Sequence, residues 1–448
     1  IAGAYVQAVA PSTEAITLRM HHSFVQLPDN NYTPRLFDAR SSFNNISFYN
    51  YSTPVSEPIE KFYTVRHRLQ KKDPTASISE PVKPIVYYLD NGTPEPIRTA
   101  LLKGASWWNQ AFEAAGYKNA FIVKVLPDTC DPMDIRYNMI NWVHRSTRGW
   151  SYGASVVDPR TGEIIKGQVS LGSLRVRQDY MIAQGLLSPF KEETLSEDQM
   201  LKMSLDRLEQ LSAHEVGHTL GLMHNYAAST VNRSSVMDYP HPVIKLNAAG
   251  NIDLSDAYDH KIGEWDKVAI TWGYSDLRNE SNESGALNKI LSNAYAKGLR
   301  YISDRDARAA GGLHPDAHLW DNGNDVLSEY ENVMKVRTKA LSQFGMNTIR
   351  KGTPMAFLED VMVPVYFYHR YQIEAVTKLV GGMHYTYALK GDGQVITAPL
   401  SKEVQQKAMQ AIVKSIDPAF LELPSGVAAL IPPRPAGYEF NRELFKKK

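Results

Sequence analysis

Residues 214–225 read His-Glu-Val-Gly-His-Thr-Leu-Gly-Leu-Met-His-Asn, a run with three histidines and one glutamate at regular spacing. His214 and His218 are four residues apart, so on a helix their rings project from one face about a turn apart and can share one metal ion. Glu215 stands beside this pair, where its carboxylate can accept a proton from an attacking water and later release it. The run therefore predicts a helix that presents a metal site.

The end of this helix is predicted by Gly221, the residue best able to adopt the left-handed conformation that stops a helix. The chain can then turn back and bring His224 to the same ion as a third ligand. Three protein ligands leave the fourth position of a tetrahedral zinc ion open, which is typical of a catalytic site and not of a structural one. We expect one catalytic Zn²⁺ held by His214, His218 and His224. Whether calcium also binds is left open.

A second motif, Ser-Val-Met-Asp-Tyr at residues 235–239, ends at Pro240 and predicts a tight turn back toward the site. Together the two motifs, HExxHxxGxxH and this turn, resemble the metzincin clan of zinc endopeptidases. The resemblance implies that Met237 forms an apolar floor beneath the metal without binding it. The Met-x-Tyr form is similar to that of astacins and serralysins, which implies that Tyr239 binds zinc at rest or stabilises the oxyanion. A packing role for Tyr239 is the alternative.

The resemblance also implies an endopeptidase that acts on protein or peptide substrates, with Glu215 as general base. We expect the substrate to add as an extended strand, antiparallel to an exposed sheet edge formed by Gly153, Ala154, Ser155 and Val156. A backbone ladder holds an unfolded peptide without demanding particular side chains. The small residues of this segment leave room for close approach.

The pattern upstream of the histidines predicts a mixed α+β domain. A strand, a helix capped by Thr93 and a further strand form a unit that implies parallel strands with the helix on one face. The predicted elements are strands at 83–89, 121–126, 136–144, 151–158 and 163–171, a helix at 93–116, and a helix that follows a capping box at 196–199 and continues to His214. This order resembles the metzincin amino-terminal subdomain, which implies a twisted, mostly parallel five-stranded sheet with helices and a zinc-binding active-site helix.

Three regions are expected along the chain. Residues 1–80, with alternating stretches at 15–20 and 46–49, predict a β-rich segment that is the end of a preceding domain. Residues 81–274 are the predicted catalytic domain, and residues 275–448 predict a mainly helical one. The whole chain resembles large bacterial zinc-dependent metalloproteases, which implies export to the periplasm, the cell surface as a lipoprotein, or the medium. Because the chain begins at Ile1, we expect a processed form or a fragment.

Composition excludes several classes of partner. There are 49 Lys and Arg residues against 48 Asp and Glu, so no basic surface for nucleic acid is expected. No apolar run approaches the ~18 residues of a spanning helix, so no transmembrane segment is expected. Cys130 is the single cysteine, which excludes an internal disulfide. Oligomeric state and cleavage preference are not indicated.

Other groups of residues in the sequence give weaker indications of a metal site. His314 and His318 share the four-residue spacing, but an intervening proline argues against a helix and no glutamate follows. The stretch 321–325 has a calcium-like composition without the glycine position or closing glutamate of an EF-hand loop, and capping of the next helix is favoured. In a gluzincin, Glu264 would replace His224 as third ligand.

A function of another class is a catalytically idle cell-surface binding module that retains a zinc site. Glu215 argues against it, because a scaffold does not need a base beside the metal. Hydrolysis measured with a chelator control would separate the two.

Overall fold

The computed structural model describes residues 3–7, 10–12, 14–145, 150–191, 197–308 and 311–438. The amino-terminal region contains helix α1 (Ala4–Gln7) and an antiparallel pair of strands, β1 (Asn45–Tyr49) and β2 (Glu60–Thr64). The strand predicted at 15–20 is wrong: these residues form neither helix nor strand and are exposed. Alternating polarity favours a strand only where a neighbour satisfies the backbone and covers the apolar face.

The central sheet has five strands, and it confirms the α+β prediction. Its spatial order is β4-β3-β5-β7-β6, with every neighbouring pair parallel except β6 and β7. Strand β6 therefore lies at an edge, antiparallel to its one neighbour. The strands are β3 (Ile85–Leu89), β4 (Phe121–Val125), β5 (Asn138–Val143), β6 (Tyr152–Val157) and β7 (Ile164–Gly172).

Four helices belong to this domain: α2 (Ile97–Ser106), α3 (Trp108–Ala114), α4 (Arg175–Leu187) and α5 (Glu197–Thr219). The helix predicted as continuous from 93 is divided at Trp107, and the predicted cap at Thr93 is wrong, because α2 begins four residues later. The Thr93 hydroxyl donates instead to the carbonyl of Asp90, at 2.8 Å. Ser196, the first residue of the predicted capping box, lies outside the described residues.

Close contact between α2 and α5 fixes the active-site helix on the domain. A Cβ added to Gly104 would lie 1.9 Å from the carbonyl oxygen of Glu209, so the two helix backbones touch at this glycine. Two residues of α5 hold the packing further along: the Ser212 hydroxyl donates to the Leu101 carbonyl at 2.8 Å, and the Ala213 carbonyl accepts from the Trp108 indole at 2.7 Å. The position of α5 is thus set by the helices before it.

The amino-terminal segment shares the main hydrophobic core. Phe43 is fully buried, with its ring centroid 5.6 Å from Trp272 and 6.2 Å from Tyr274. A Cβ on Gly273 would lie 2.1 Å from the Phe43 ring. Residues around Phe43 therefore pack directly against residues 272–274, and the predicted boundary at residue 80 stays a prediction.

The rest of the chain is mainly helical in its described part, and a separate helical domain at 275–448 stays a prediction. It contains two short hairpins, β8 (Lys245–Leu246) with β9 (Ile252–Asp253) and β10 (Met383–Tyr385) with β11 (Thr397–Pro399). The helices are α6 (Glu264–Tyr274), α7 (Glu283–Ala296), α8 (Asp304–Ala307), α9 (Val326–Gln343), α10 (Leu358–Tyr366), α11 (Arg370–Thr377), α12 (Lys402–Ser415), α13 (Pro418–Leu421) and α14 (Ser425–Ala428). Within the described ranges, no helix is both long and apolar enough to cross a membrane.

Candidate metal centre

The end of α5 brings three imidazoles together. His214 and His218 lie one turn apart, with ring centroids separated by 4.8 Å. Gly221 follows with φ +100°, and a Cβ there would lie 2.0 Å from the carbonyl oxygen of Val65, so the turn requires glycine. The chain then returns His224 to the helix, with its ring 5.2 Å from His214 and 4.5 Å from His218.

Each imidazole is oriented through its Nδ1 atom. His214 Nδ1 lies 2.8 Å from the carbonyl oxygen of Val236, and His218 Nδ1 lies 2.9 Å from that of Leu222. His224 Nδ1 lies 2.7 Å from an Asp304 carboxylate oxygen. All three partners are acceptors, so Nδ1 carries the proton and donates in each case. The three Nε2 atoms are left with lone pairs.

These free nitrogens converge on one point. One ligand atom from each histidine lies within 4.8 Å of the others, and the Nε2 atoms of His218 and His224 are 3.1 Å apart. Among the residues that the structure describes, this is the one group of at least three His, Cys, Asp or Glu side chains arranged to hold a metal ion. Three imidazole nitrogens on rings that are held by hydrogen bonds at their far sides are a donor set that zinc takes.

Burial keeps two of these rings neutral. It lowers the pKa of His214 well below its ordinary value, and it lowers the pKa of His218 to about 3, with the neighbouring His224 acting in the same direction. Neutral imidazole is the form that binds a metal, so no proton has to be removed first.

Glu215 faces the edge strand. Burial raises the pKa of its carboxyl to about 8, opposed by the charge of Arg207 and by a hydrogen bond from the backbone N–H of Gly153. A divalent cation at the histidines would oppose that rise as well. The backbones of Gly153 and Glu215 also approach closely, because a Cβ added to Gly153 would lie 2.2 Å from the backbone carbonyl oxygen of Glu215.

The turn at 235–239 lies beneath the site. The backbone N–H of Asn225 donates to the carbonyl of Met237, at 3.1 Å, and so joins the third histidine's segment to the turn. Met237 is buried against α5. The carboxylate of Asp266 accepts from the Ser235 hydroxyl at 2.6 Å and from the Val236 N–H at 2.8 Å.

Tyr239 leaves this turn toward the histidines. Its ring centroid lies 4.7 Å from that of His224 and 5.3 Å from that of His214, with Trp320 on another side at 5.6 Å. Burial raises the pKa of the Tyr239 phenol, against the effect of the Arg308 charge. The tyrosine is therefore beside the imidazoles, where the sequence predicted it.

A cleft of about 560 Å³ is lined by His218 and His224 of the site, together with Glu215 and Tyr239. One wall is β6, including Gly153, Ala154 and Ser155. The opposite wall was not predicted and comes from residues 44–46 of the amino-terminal segment. Val156 of the predicted edge segment does not line the cleft.

Comparison with models of known protein families shows the family to which the chain belongs. A family model described as Met-zincin matches residues 196–442, more than half of the chain, and the match contains α5, all three histidines and Tyr239. The chain belongs to the Met-zincin family. Membership confirms the metzincin prediction, and together with the three clustered histidines it supports a zinc metalloprotease-like function. The likeness to astacins and serralysins stays a prediction.

A second family model, described as a domain of unknown function, matches residues 4–72 of this Met-zincin. The match covers the segment that includes Phe43 and the cleft wall at 44–46. No curated protein and no solved structure matches the chain.

The other sequence constellations lie elsewhere in the Met-zincin fold. Glu264 starts α6 and pairs with Lys267 at 2.6 Å, with its side chain mostly exposed. His314 bonds through Nε2 to the Tyr385 carbonyl at 2.9 Å. Asp325 caps α9 by accepting from the Ser328 N–H at 2.6 Å, the role favoured from the sequence.

One contact of the Met-zincin site had no sequence signal. Asp304 lies 80 residues after His224 and outside both motifs, yet its carboxylate holds the third histidine. Only the folded chain brings these two residues together.

Proposed function

We propose that this chain is a zinc-dependent endopeptidase in which His214, His218 and His224 hold the ion. The observation that carries the proposal is the convergence of three imidazole rings whose Nδ1 atoms are each hydrogen-bonded to an oxygen acceptor, which leaves the Nε2 side of each ring toward a common point. Zinc bound there would lower the pKa of a water molecule and polarise the carbonyl of the scissile bond. Because the histidines would supply three of the four ligands of tetrahedral zinc, one coordination position would remain for the water or the substrate carbonyl.

Glu215 is the proposed general base. Its carboxylate lies next to the first histidine and accepts from the Gly153 N–H, so it is oriented toward the cleft between α5 and β6. It takes a proton from the attacking water and delivers it to the leaving amine. Burial raises the pKa of the Glu215 carboxyl toward neutral pH. A carboxyl with a pKa near neutral pH can both accept and release a proton, as this role requires.

Tyr239 is the proposed donor to the carbonyl oxygen of the scissile bond. Its ring lies beside His214 and His224, and its raised pKa keeps the phenol protonated at neutral pH. A hydrogen bond that strengthens as negative charge develops on that oxygen lowers the barrier.

The substrate proposed for this cleft is an extended peptide. Strand β6 lies at the edge of the sheet, with β7 as its one neighbour among the strands that the structure describes. Residues 44–46 face it across the cleft. A peptide backbone can pair with the β6 edge while its side chains alternate toward this wall and toward solvent. Export from the cell, implied by the family resemblance, is part of the same proposal.

The test uses wild-type protein and Glu215→Gln with a mixture of fluorogenic peptides. Wild type should lose activity with a chelator and recover it with Zn²⁺. Glu215→Gln should bind one zinc like wild type and lose activity by roughly 100-fold or more, because the amide cannot accept the proton. Zinc-loaded wild type that cleaves neither peptides nor unfolded proteins would support the idle binding module instead.

A further inference from the structure

Asp304, the first residue of α8, and Arg308, which directly follows this helix, extend the metal centre beyond both sequence motifs. They are one turn apart, and the Arg308 Nε donates to the Asp304 carboxylate. We propose that this pair positions the active site: Asp304 orients the third histidine for the metal, and Arg308 holds Tyr239 for the reaction. The inference rests on the proposed peptidase function.

Asp304 divides its two carboxylate oxygens between neighbours. One accepts from His224 Nδ1 at 2.7 Å, and the other accepts from the Tyr226 hydroxyl at 3.1 Å. His214 and His218 have backbone carbonyls in the equivalent place, so His224 is the one histidine of the three with a charged partner. A carboxylate behind an imidazole fixes its tautomer and makes Nε2 a stronger donor to a metal.

Arg308 lies on the other side of the same group. Its guanidinium lies 5.0 Å from the ring centroid of Tyr239 and 5.6 Å from that of Tyr226. A terminal nitrogen donates to the Tyr226 hydroxyl at 2.7 Å. The two aromatic rings and the Asp304 carboxylate thus hold the cation, and the cation fixes the Tyr239 ring beside the histidines.

The segment before α8 is tied to the end of the histidine motif. The Asn225 side-chain amide donates to the Arg300 carbonyl at 2.9 Å, and its oxygen accepts from the Ile302 N–H at 3.3 Å. The Tyr226 N–H donates to the Ile302 carbonyl at 2.9 Å. These bonds place the start of α8 directly against His224, so the motif's last residue explains how a distant carboxylate reaches the metal site.

Loss of Asp304 and loss of Arg308 should change different measured quantities. Asp304 contacts a metal ligand, so its loss should weaken zinc binding. Arg308 lies over the Tyr239 ring, and its hydrogen bonds within the described structure go to Asp304 and Tyr226 and not to a histidine. Its loss should therefore lower kcat with KM and zinc affinity changing less. A general structural role would move protein stability, zinc affinity and kcat together.

The first experiment measures the zinc Kd by competition with a chromogenic chelator, which needs no activity. Asp304→Asn and Asp304→Ala should weaken zinc binding, Ala more than Asn, by about 10- to 100-fold. Asp306→Asn is the matched control, since Asp306 lies on the same helix and bonds Tyr385 and Tyr387 instead of a histidine. Asp304→Asn guards against misfolding of the alanine variant. A folded Asp304 variant with wild-type zinc affinity would overturn the role of Asp304.

The second experiment is a double-mutant cycle of Arg308→Gln and Tyr239→Phe. Arg308→Gln should lower kcat by about 10-fold in wild type and have little further effect in Tyr239→Phe, because one contact cannot be lost twice. Arg308→Lys, which keeps the charge, should recover part of the loss. Arg305→Gln is the matched control, because Arg305 is an exposed arginine three residues away in α8. Additive effects in the cycle would overturn the role of Arg308.

The wild-type protein, measured in both experiments, distinguishes a failure of the proposed peptidase function from a failure of the proposed positioning role. If wild type binds no zinc and cleaves no peptide, the proposed function has failed. If wild type binds zinc and cleaves peptide, and the Asp304 and Arg308 variants match it, the pair has no positioning role.

Discussion

The sulfur of Met237 fills the space beside the α carbon of Gly217, in the middle of the histidine motif. A Cβ on Gly217 would lie 2.2 Å from the Met237 Sδ and 2.6 Å from the Trp108 ring. The methionine therefore supports the helix from below at the residue between Glu215 and His218, and the glycine lets it approach.

Gly217→Ala should destabilise the protein and disturb the metal site together. The added methyl group overpacks a filled contact, at a cost of about 1–3 kcal/mol in the free energy of unfolding. Denaturant unfolding and zinc titration measure the two effects. Gly426→Ala is the control, because a Cβ there meets nothing within 4 Å. Equal stability of the Gly217 and Gly426 variants would contradict this packing.

Asp266→Ala should loosen the turn that carries Met237 and Tyr239. The carboxylate accepts from the Ser235 hydroxyl, the Val236 N–H and the Gly263 N–H. Each buried donor left without a partner costs about 1–3 kcal/mol. Because the Val236 carbonyl holds His214, zinc affinity should fall as well. Asp266→Asn, which retains one acceptor, should lose less in both measurements, and a larger loss for Asn than for Ala would count against this account.

Tyr239→Phe should lower kcat by roughly 10- to 1000-fold with a smaller change in KM, the pattern of an interaction made mainly in the transition state. Steady-state kinetics on one fluorogenic peptide measures both constants. Tyr137→Phe, which removes a hydroxyl bonded to Cys130 far from the histidines, serves as control. An unchanged kcat would return Tyr239 to a packing role.

Pairing of substrate with β6 should appear as a two-residue period in the backbone of a bound peptide. In a peptide inhibitor, N-methylation of amides directed at β6 should weaken binding by about 3- to 10-fold each, the value of one net hydrogen bond. Methylation of the intervening amides should have less effect. A uniform response along the peptide would mean that the edge of β6 is not the binding strand.

What could be predicted from the sequence is what short-range spacing determines. His214, His218 and Glu215 are fixed by helical periodicity, and Gly221 is fixed by the turn that it alone permits. The strand-helix-strand unit at 83–126 likewise allows essentially one handedness of crossover. These relationships involve residues close along the chain, so pattern and chemistry suffice.

The rest depends on contacts that only the folded chain makes. Asp304 and residues 44–46 reach the site through tertiary packing, and nothing near them resembles a motif. Helix α4 was not predicted, and its buried residues face both α5 and α10; at Gly185 a Cβ would lie 2.5 Å from Val365. The alternation at 15–20 was misleading because, within the described ranges, no strand pairs with it.

The amino-terminal segment meets the active-site helix at its end: the Asn44 N–H donates to the Gly221 carbonyl at 2.7 Å, and the Met223 N–H donates to the Ser42 carbonyl at 2.8 Å. Residues 42–46 thus brace the turn that delivers His224 and then continue as a wall of the cleft. If the chain cleaves peptides as proposed, substitutions at exposed side chains of that wall should alter which peptides fit, while substitutions that disturb its backbone contacts with residues 221–223 should also disturb the third histidine. One short segment would then influence both selectivity and the geometry of the metal site.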